Sequence, residues 1–315
     1  MNVHHFALTF SPAEAAQARE RRSAPERVGA WGAFESLCAQ TMPDPLQQAV
    51  VDALSWRLTG DGAAAERAAA VLAGDAIQSD EPTTPLIDAC RRAIGFAQAL
   101  ECVRDHGAMP DAARAAIIDR WHGRVSALNS RLAQSAIHEQ AWIAAVNLAA
   151  GVVLERESMF DAGADSYRRI VDSVQPHGYI AAIVEPRDAD ALTRTLAAVH
   201  GLVLAAEIAA QADIDLWAYE RRGVSVMTAA LYPLYYYFYP EKWPWFEGLE
   251  LGPVQVEFRQ YAAFLELVNH KNGGSVRAVK LILDDVRPVF DALGGGPVTL
   301  THAVVPVARR GLFRR

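Results

Sequence analysis

Cysteine is scarce in this chain: Cys38, Cys90 and Cys102 are the three present in 315 residues. An odd number of widely spaced thiols argues against a disulfide-stapled scaffold and for a reduced compartment, and their spacings match no metal-binding pattern. An excess of positive charge is missing too. With 30 Lys and Arg against 37 Asp and Glu, the net charge of −7 argues against a general binder of nucleic acid or another polyanion. The basic run Arg309-Arg310-Gly311-Leu312-Phe313-Arg314-Arg315 reads as a solvated terminus. Met1-Asn2-Val3-His4-His5-Phe6 carries no basic leader, and no stretch reads as long and uncharged enough to span a bilayer, so a cytoplasmic protein without membrane contact is expected.

The signatures of several enzyme classes are also lacking. There is no Gly-rich phosphate loop, nucleophile elbow or dinucleotide fingerprint, and Gly294-Gly295-Gly296 reads as a helix terminator. His4, His5, His106, His122, His270 and His302 show no metal-ligand spacing with acids or cysteines. Neither a cofactor nor a metal is expected.

Period-two alternation is scarce, and the apolar residues, 51% of the chain with the other hydrophobic types counted, recur at helical spacing instead. Pro45 opens a predicted helix carrying Leu46, Val50, Leu54 and Leu58, with Gly60 just past its end. Thr84-Pro85 has the cap and first-turn signature for a helix bearing Ile87, Cys90, Ile94, Ala97 and Leu100. Pro110 begins another, with Ile117, Trp121, Val125, Leu128 and Leu132 on one stripe. Ser158 with Asp161 resembles a capping box ahead of Tyr167, Val171 and Val174. An all-α fold follows. No linker divides the chain, the short polar stretch Gln78 to Pro85 reading as a loop, so residues 1–315 are expected to form a single domain.

Four segments carry a resemblance: Ile137-His138-Glu139-Gln140-Ala141-Trp142, Met159-Phe160-Asp161, Glu185-Pro186-Arg187 and Asp213-Ile214-Asp215-Leu216. They resemble the alginate lyase family of polysaccharide lyases, whose members typically show Asn-Asn-His-x-Tyr-Trp, Leu-Phe-Asp-Trp, an Arg followed seven residues on by Tyr, and Gly-Val-Asp-Leu. Phe10-Ser11-Pro12-Ala13-Glu14 and Trp245-Phe246-Glu247 extend the likeness more weakly. The resemblance implies an incomplete (α/α) toroid of paired inner and outer helices. Two predicted helices suit the inner ring. From Ala141 to Leu154 the one polar side chain is Asn147, and from Leu196 to Ala210 the titratable ones are His200 and Glu207. Helices apolar on all sides must be enclosed by others.

In that family Asn and Arg neutralise the uronate carboxylate, while His and Tyr move protons. The register places His138 at the Asn position, Glu139 at the His position and Arg194 at the Tyr position, and Arg187 keeps its type. A guanidinium does not lose its proton at working pH, so Arg194 cannot replace the tyrosine as base and acid. Ordinary alginate cleavage is therefore not expected.

His138, Glu139, Arg187 and Arg194 are the candidate catalytic residues. Adjacent imidazole and carboxylate groups can divide proton acceptance and donation, whereas Glu139 in a first helical turn is also favoured by the helix dipole alone, by roughly 0.3–1 kcal/mol. Arg187 reads either as an anion ligand or as a surface arginine paired with Asp188 or Asp190. Arg194, followed by an almost uncharged run, needs an internal acid such as Glu139 or an anionic ligand. Substrate-binding candidates are Trp142, His200, Tyr235, Tyr236, Tyr237, Trp245 and Glu247. The proline-broken aromatic stretch Tyr232 to Trp245 suits a cleft wall or a rim loop plugging the ring. His200 either faces the cleft beside Arg194 or bonds a neighbouring carbonyl.

Three functional classes follow. One is an enzyme using the lyase fold for acid/base chemistry on a small carboxylated or ring-containing metabolite. Another is a polysaccharide or oligosaccharide lyase with a rearranged catalytic set. The third is a binding or scaffolding protein. The expected partner is a small-molecule or saccharide ligand.

Overall fold

A computed structural model describes residues 2–74 and 83–305. The basic C-terminal run and most of Gln78 to Pro85 lie outside the described residues. In chain order the helices are Pro12–Glu20 (α1), Pro25–Cys38 (α2), Pro45–Thr59 (α3), Gly62–Ala73 (α4), Leu86–Val103 (α5), Asp111–Ser130 (α6), Ile137–Leu154 (α7), Glu157–Ser173 (α8), Ala181–Val184 (α9) and Ala191–Ala210 (α10). After a two-stranded hairpin, Glu220–Arg221 with Val224–Ser225, come Val226–Leu231 (α11), Leu234–Phe238 (α12), Leu251–Gln260 (α13), Ala263–Lys271 (α14), Arg277–Val286 (α15) and Val298–His302 (α16). The hairpin turns on Arg222 and Gly223, both at positive φ, as a tight two-residue connection requires.

Local chemistry sets most helix ends. The Asp44 carboxylate accepts from the Leu46 N–H at 3.0 Å ahead of Pro45, and α3 stops at Gly60, whose φ of 81° is left-handed. At α1 the Ser11 hydroxyl accepts from the Glu14 N–H, and the Glu14 carboxylate accepts from the Ser11 N–H at 2.7 Å. Proline placement gives α5 and α6 their starts, with Pro85 and Pro110 at the N-cap positions. Other local expectations are corrected. Ser158 and Asp161 form no capping box, because α8 starts at Glu157 behind Arg156 without a side-chain cap. At α7 Ala136 holds the N-cap place without a side-chain cap, and the Ser135 hydroxyl before it donates to the Leu132 carbonyl. Gly294 to Gly296 end no helix but lie in a turn closed by Asp291 and Gly296, well past α15.

Helices α3, α5, α7, α10 and α14 lie side by side in that order, with α4, α6 and α8 packed outside them. Helix α16 packs on α14, α1 and α2, and α1 packs on α3. The terminal helices thus bridge the two ends of the row. This is the incomplete (α/α) toroid, and its enclosed members explain the apolar sequences. Every residue from Ala141 to Val153 and from Thr195 to Ala206 is buried. By length and composition alone α7 and α10 are apolar enough to cross a membrane, contrary to the sequence expectation, but 72% and 83% of them is buried inside the protein. Helix α5 is a third enclosed element, continuous in burial from Ala93 to Val103. No disulfide joins the cysteines, Cys90 and Cys102 being buried and Cys38 half-buried.

Two glycines let the layers meet closely. A side chain at Gly163 of α8 would stand 2.8 Å from the Leu148 nitrogen and 2.9 Å from the Ala144 oxygen of α7. One at Gly201 of α10 would meet the α7 backbone at Ala141 and Trp142, 3.1 Å away. These contacts hold α7 between α8 and α10 and so fix where its first turn opens.

Candidate functional site

Helix α7 presents His138 and Glu139 in its first turn, both half-buried. Glu139 is anchored: its carboxylate accepts from the Ala136 N–H at 2.8 Å, satisfying a donor that the helix start leaves free. Burial pushes the His138 imidazole below its ordinary value; Glu139 pulls it back up and the Arg194 guanidinium pushes it further down. His138 is therefore neutral at neutral pH, with a ring nitrogen lone pair able to accept a proton.

Arg194, in the first turn of α10, donates to Asp188 at 2.6 Å and to the Ile183 carbonyl at 3.3 Å. Its acidic partner is thus Asp188, from the preceding loop, and not Glu139. The Arg194 hydrogen bond leads in holding the Asp188 carboxyl below the usual carboxylate range. Arg187 pairs with neither Asp188 nor Asp190. It is exposed, has a φ of 53°, and lays its guanidinium over the Trp245 ring at 5.7 Å. A non-glycine residue in the left-handed region costs about 1 kcal/mol, which the loop holding it must offset. Of the two candidate arginines, Arg187 is the one left to meet an anion.

The aromatic stretch supplies a wall around Trp245. Its indole N–H donates to the Tyr232 hydroxyl at 2.7 Å, and its ring lies 4.9 Å from that of Tyr179. Tyr236 stands edge-on to Trp243 at 4.7 Å and to Tyr232 at 5.5 Å. Burial keeps the Tyr232 phenol protonated far above neutral pH. The other sequence candidates lie at the edge of this wall or away from it. Tyr237 is buried and donates to Asp285 at 2.9 Å, Tyr235 is exposed at the outer edge, between Tyr239 and Tyr236 of the wall, and Glu247 is exposed. The broken, proline-rich course expected for this stretch is found, with α12 only five residues long.

Deeper in, Trp142 is fully buried and donates to the Ala197 carbonyl at 2.9 Å. His200 is also fully buried, 5.0 Å from Trp142, and its Nε2 lies 2.6 Å from the Gly294 carbonyl, which can only accept. Of the two readings of His200, the carbonyl bond holds. Burial drives its imidazole down to about 4. Beside them the Arg91 guanidinium lies over Trp142 at 5.4 Å and binds Asp291 at 2.8 Å. Trp142 follows His138 by one turn on the same face of α7, which places this polar cluster one turn along the helix from His138.

Sequence reasoning missed Tyr179, Arg91 and Asp291. Arg91 carries the signal that singled out Arg194, a charge in an enclosed helix, but the polar residues Arg92, Gln98 and Glu101 of α5 hide its enclosure. Tyr179 is an isolated aromatic far from the Tyr232 to Trp245 stretch, and nothing local marks it.

Comparison with known proteins bears on this arrangement. Alginate lyase A1-III from Sphingomonas species A1 superposes with a TM-score of 0.69 at 17% identity, covering 82% of this chain and 75% of that one. A tyrosine-to-phenylalanine variant of A1-III complexed with a tetrasaccharide gives 0.69 at 18% identity with the same coverage. A histidine-to-alanine variant, also complexed with a tetrasaccharide, gives 0.66 at 16%, covering 82% and 74%. At such identities the likeness shows the fold alone. No curated protein matches the chain. The family model for alginate lyase matches residues 33–243, about two thirds of the sequence, and the chain belongs to the alginate lyase family.

Proposed function

We propose that this chain is a lyase-like enzyme that removes a proton from the carbon beside a carboxylate in a ring-containing acid. His138 is the base, Arg187 holds the carboxylate, and the Trp245, Tyr179 and Tyr232 rings pack against the apolar face of the substrate ring. The proton passes to a ring nitrogen of His138, the carbon–oxygen bond at the next carbon breaks, and the leaving oxygen takes a proton from the Tyr232 hydroxyl. The observation that carries this reading is the placing of His138, half-buried in the first turn of α7 and near enough to the Arg194 guanidinium for that charge, with burial, to favour its neutral form. Arg194 then acts by its fixed charge and by anchoring the loop through Asp188, and Glu139 by capping α7.

The preferred substrate is a small carboxylated metabolite and not polymeric alginate, because an arginine and a glutamate stand where the family's tyrosine and histidine act. A saccharide chain is the second reading, favoured by the aromatic wall and by the tetrasaccharide complexes of A1-III variants. The test is a panel of uronate oligosaccharides, alginate and small cyclic acids, followed by ultraviolet absorbance of the new carbon–carbon double bond. Turnover of a small acid or short uronate, abolished in His138→Gln and weakened in Arg187→Met, supports the proposal. Alginate turnover at the level of A1-III, or full activity of His138→Gln, overturns it.

A further inference from the structure

A second cluster lies where the ring closes, near the far end of α10, about 20 Å along that helix from Arg194 at 1.5 Å per residue. Glu14 of α1, Glu207 of α10 and His302 of α16 bring one oxygen, one oxygen and one nitrogen within 4.8 Å of one another. His302 is fully buried, and its Nε2 has no hydrogen-bond partner. That atom lies 3.4 Å from Glu207 Oε1 and 3.6 Å from Glu14 Oε1. A charged hydrogen bond between imidazolium and carboxylate would draw these atoms to about 2.7–2.9 Å. Donors about 2.0–2.2 Å from a shared tetrahedral zinc stand roughly 3.4 Å apart, close to the spacing found from His302 to each carboxylate.

The remaining atoms of the three residues are tied as ligands need. Glu14 Oε2 is held by the Ser11 N–H at 2.7 Å and the Ser11 hydroxyl at 3.0 Å, leaving Oε1 to point at His302. Glu207 Oε2 accepts from the Trp217 indole N–H at 3.2 Å, leaving its Oε1 likewise. With the Thr301 hydroxyl directed at the Pro297 carbonyl, its oxygen is free to accept from His302 Nδ1, 2.7 Å away. That arrangement leaves the lone pair on Nε2, the form that binds metal. His270 repeats the arrangement: its Nδ1 bonds the His302 carbonyl at 3.0 Å, and its Nε2 stands 3.7 Å from Glu14 Oε1. Glu14 and Glu207 also line a cavity of about 630 Å³ beside Val3 to Phe6.

We infer that Glu14, Glu207 and His302 form a binding site for a divalent transition-metal ion of zinc type, which clamps α1, α10 and α16 where the ring closes. Three protein donors leave one coordination position for water or a small ligand from the cavity, and His270 stands next to it. The ligands come from positions 14, 207 and 302, so no local spacing in the sequence announces the site.

The test uses untagged, chelator-stripped full-length protein titrated with zinc by calorimetry and with cobalt(II) by visible absorption. The expected result is one ion per chain, a tetrahedral-type cobalt spectrum and a higher melting temperature with zinc. Glu207→Gln and His302→Gln lose the binding, and Thr301→Val weakens it about tenfold or more by releasing the His302 ring. The His4→Ala/His5→Ala double variant keeps it, which separates the site from the surface histidines across the same cavity. If His302→Gln does not fold, Glu14→Gln serves, because the amide oxygen still accepts from Ser11. Absence of saturable one-to-one binding in the folded wild type overturns the inference, as does binding that survives in the ligand variants.

Discussion

Arg194 and Asp188 meet at 2.6 Å between the first turn of α10 and the loop before it, so this guanidinium is committed to a neighbouring carboxylate and not to an anionic ligand. That pairing fixes the backbone that carries Arg187. Asp188 also accepts from the Asp190 N–H at 3.1 Å, tying the loop onto the helix start.

Breaking this pair is expected to change binding more than stability. Asp188→Asn lowers the melting temperature by no more than about 2 °C, as for other solvent-exposed pairs. It frees Arg194 and loosens the Arg187 loop, raising KM for a carboxylated substrate several-fold. Thermal melts and steady-state kinetics on the same variant check both; a large melting shift with unchanged KM would make the pair purely structural.

The base role assigned to His138 has a pH signature. Burial places its folded pKa below the ordinary value of 6.5, so the neutral, proton-accepting form persists below pH 6.5. The acid limb of kcat/KM is expected there, and His138→Gln removes it while costing about two to four powers of ten in rate. A limb centred well above pH 6.5 would assign the base to another group.

His200 predicts how stability responds to acid. Its folded pKa, about 4, lies below the unfolded value, so the unfolded chain binds the extra proton between pH 6.5 and 4. The stabilisation from keeping this histidine neutral is fully present above pH 6.5 and is lost as pH falls towards 4, a change of order 3 kcal/mol. Denaturant melts at pH 7 and pH 5 check it. The His200→Leu variant is less stable at pH 7, because the Gly294 carbonyl loses its donor, yet falls less steeply with acid than the wild type.

Glycine substitutions separate helix propensity from packing. A methyl group placed on Gly123 of α6 would meet nothing within 4 Å, so Gly123→Ala stabilises by up to about 1 kcal/mol. Gly163→Ala has the same propensity gain but drives a methyl into the α7 backbone, and overpacking of that kind costs about 1–3 kcal/mol. Opposite shifts in melting temperature are expected. Equal shifts would mean that α8 moves freely on α7.

The all-α class, both ends of α3 and the start of α6 were legible in the sequence because they depend on local chemistry: four-residue apolar spacing, Pro45 at one end of α3 and Gly60 at the other, and Pro110 ahead of α6. The enclosed character of α7 and α10 was legible from their lack of polar side chains, and the family register placed His138 at the start of the first and Arg187 ahead of the second. The partners of the charged residues were not. Arg194 takes Asp188 and not Glu139, and Arg187 takes the face of Trp245, because the loop geometry ahead of α10 decides which way each guanidinium turns. His200 was indistinguishable from a cleft residue until Gly294 came to lie against it from 94 positions away. The meeting of Glu14, Glu207 and His302 was equally hidden. Chain spacing determines which residues share a helix face, whereas contacts between helices distant in sequence exist only once the ring has closed.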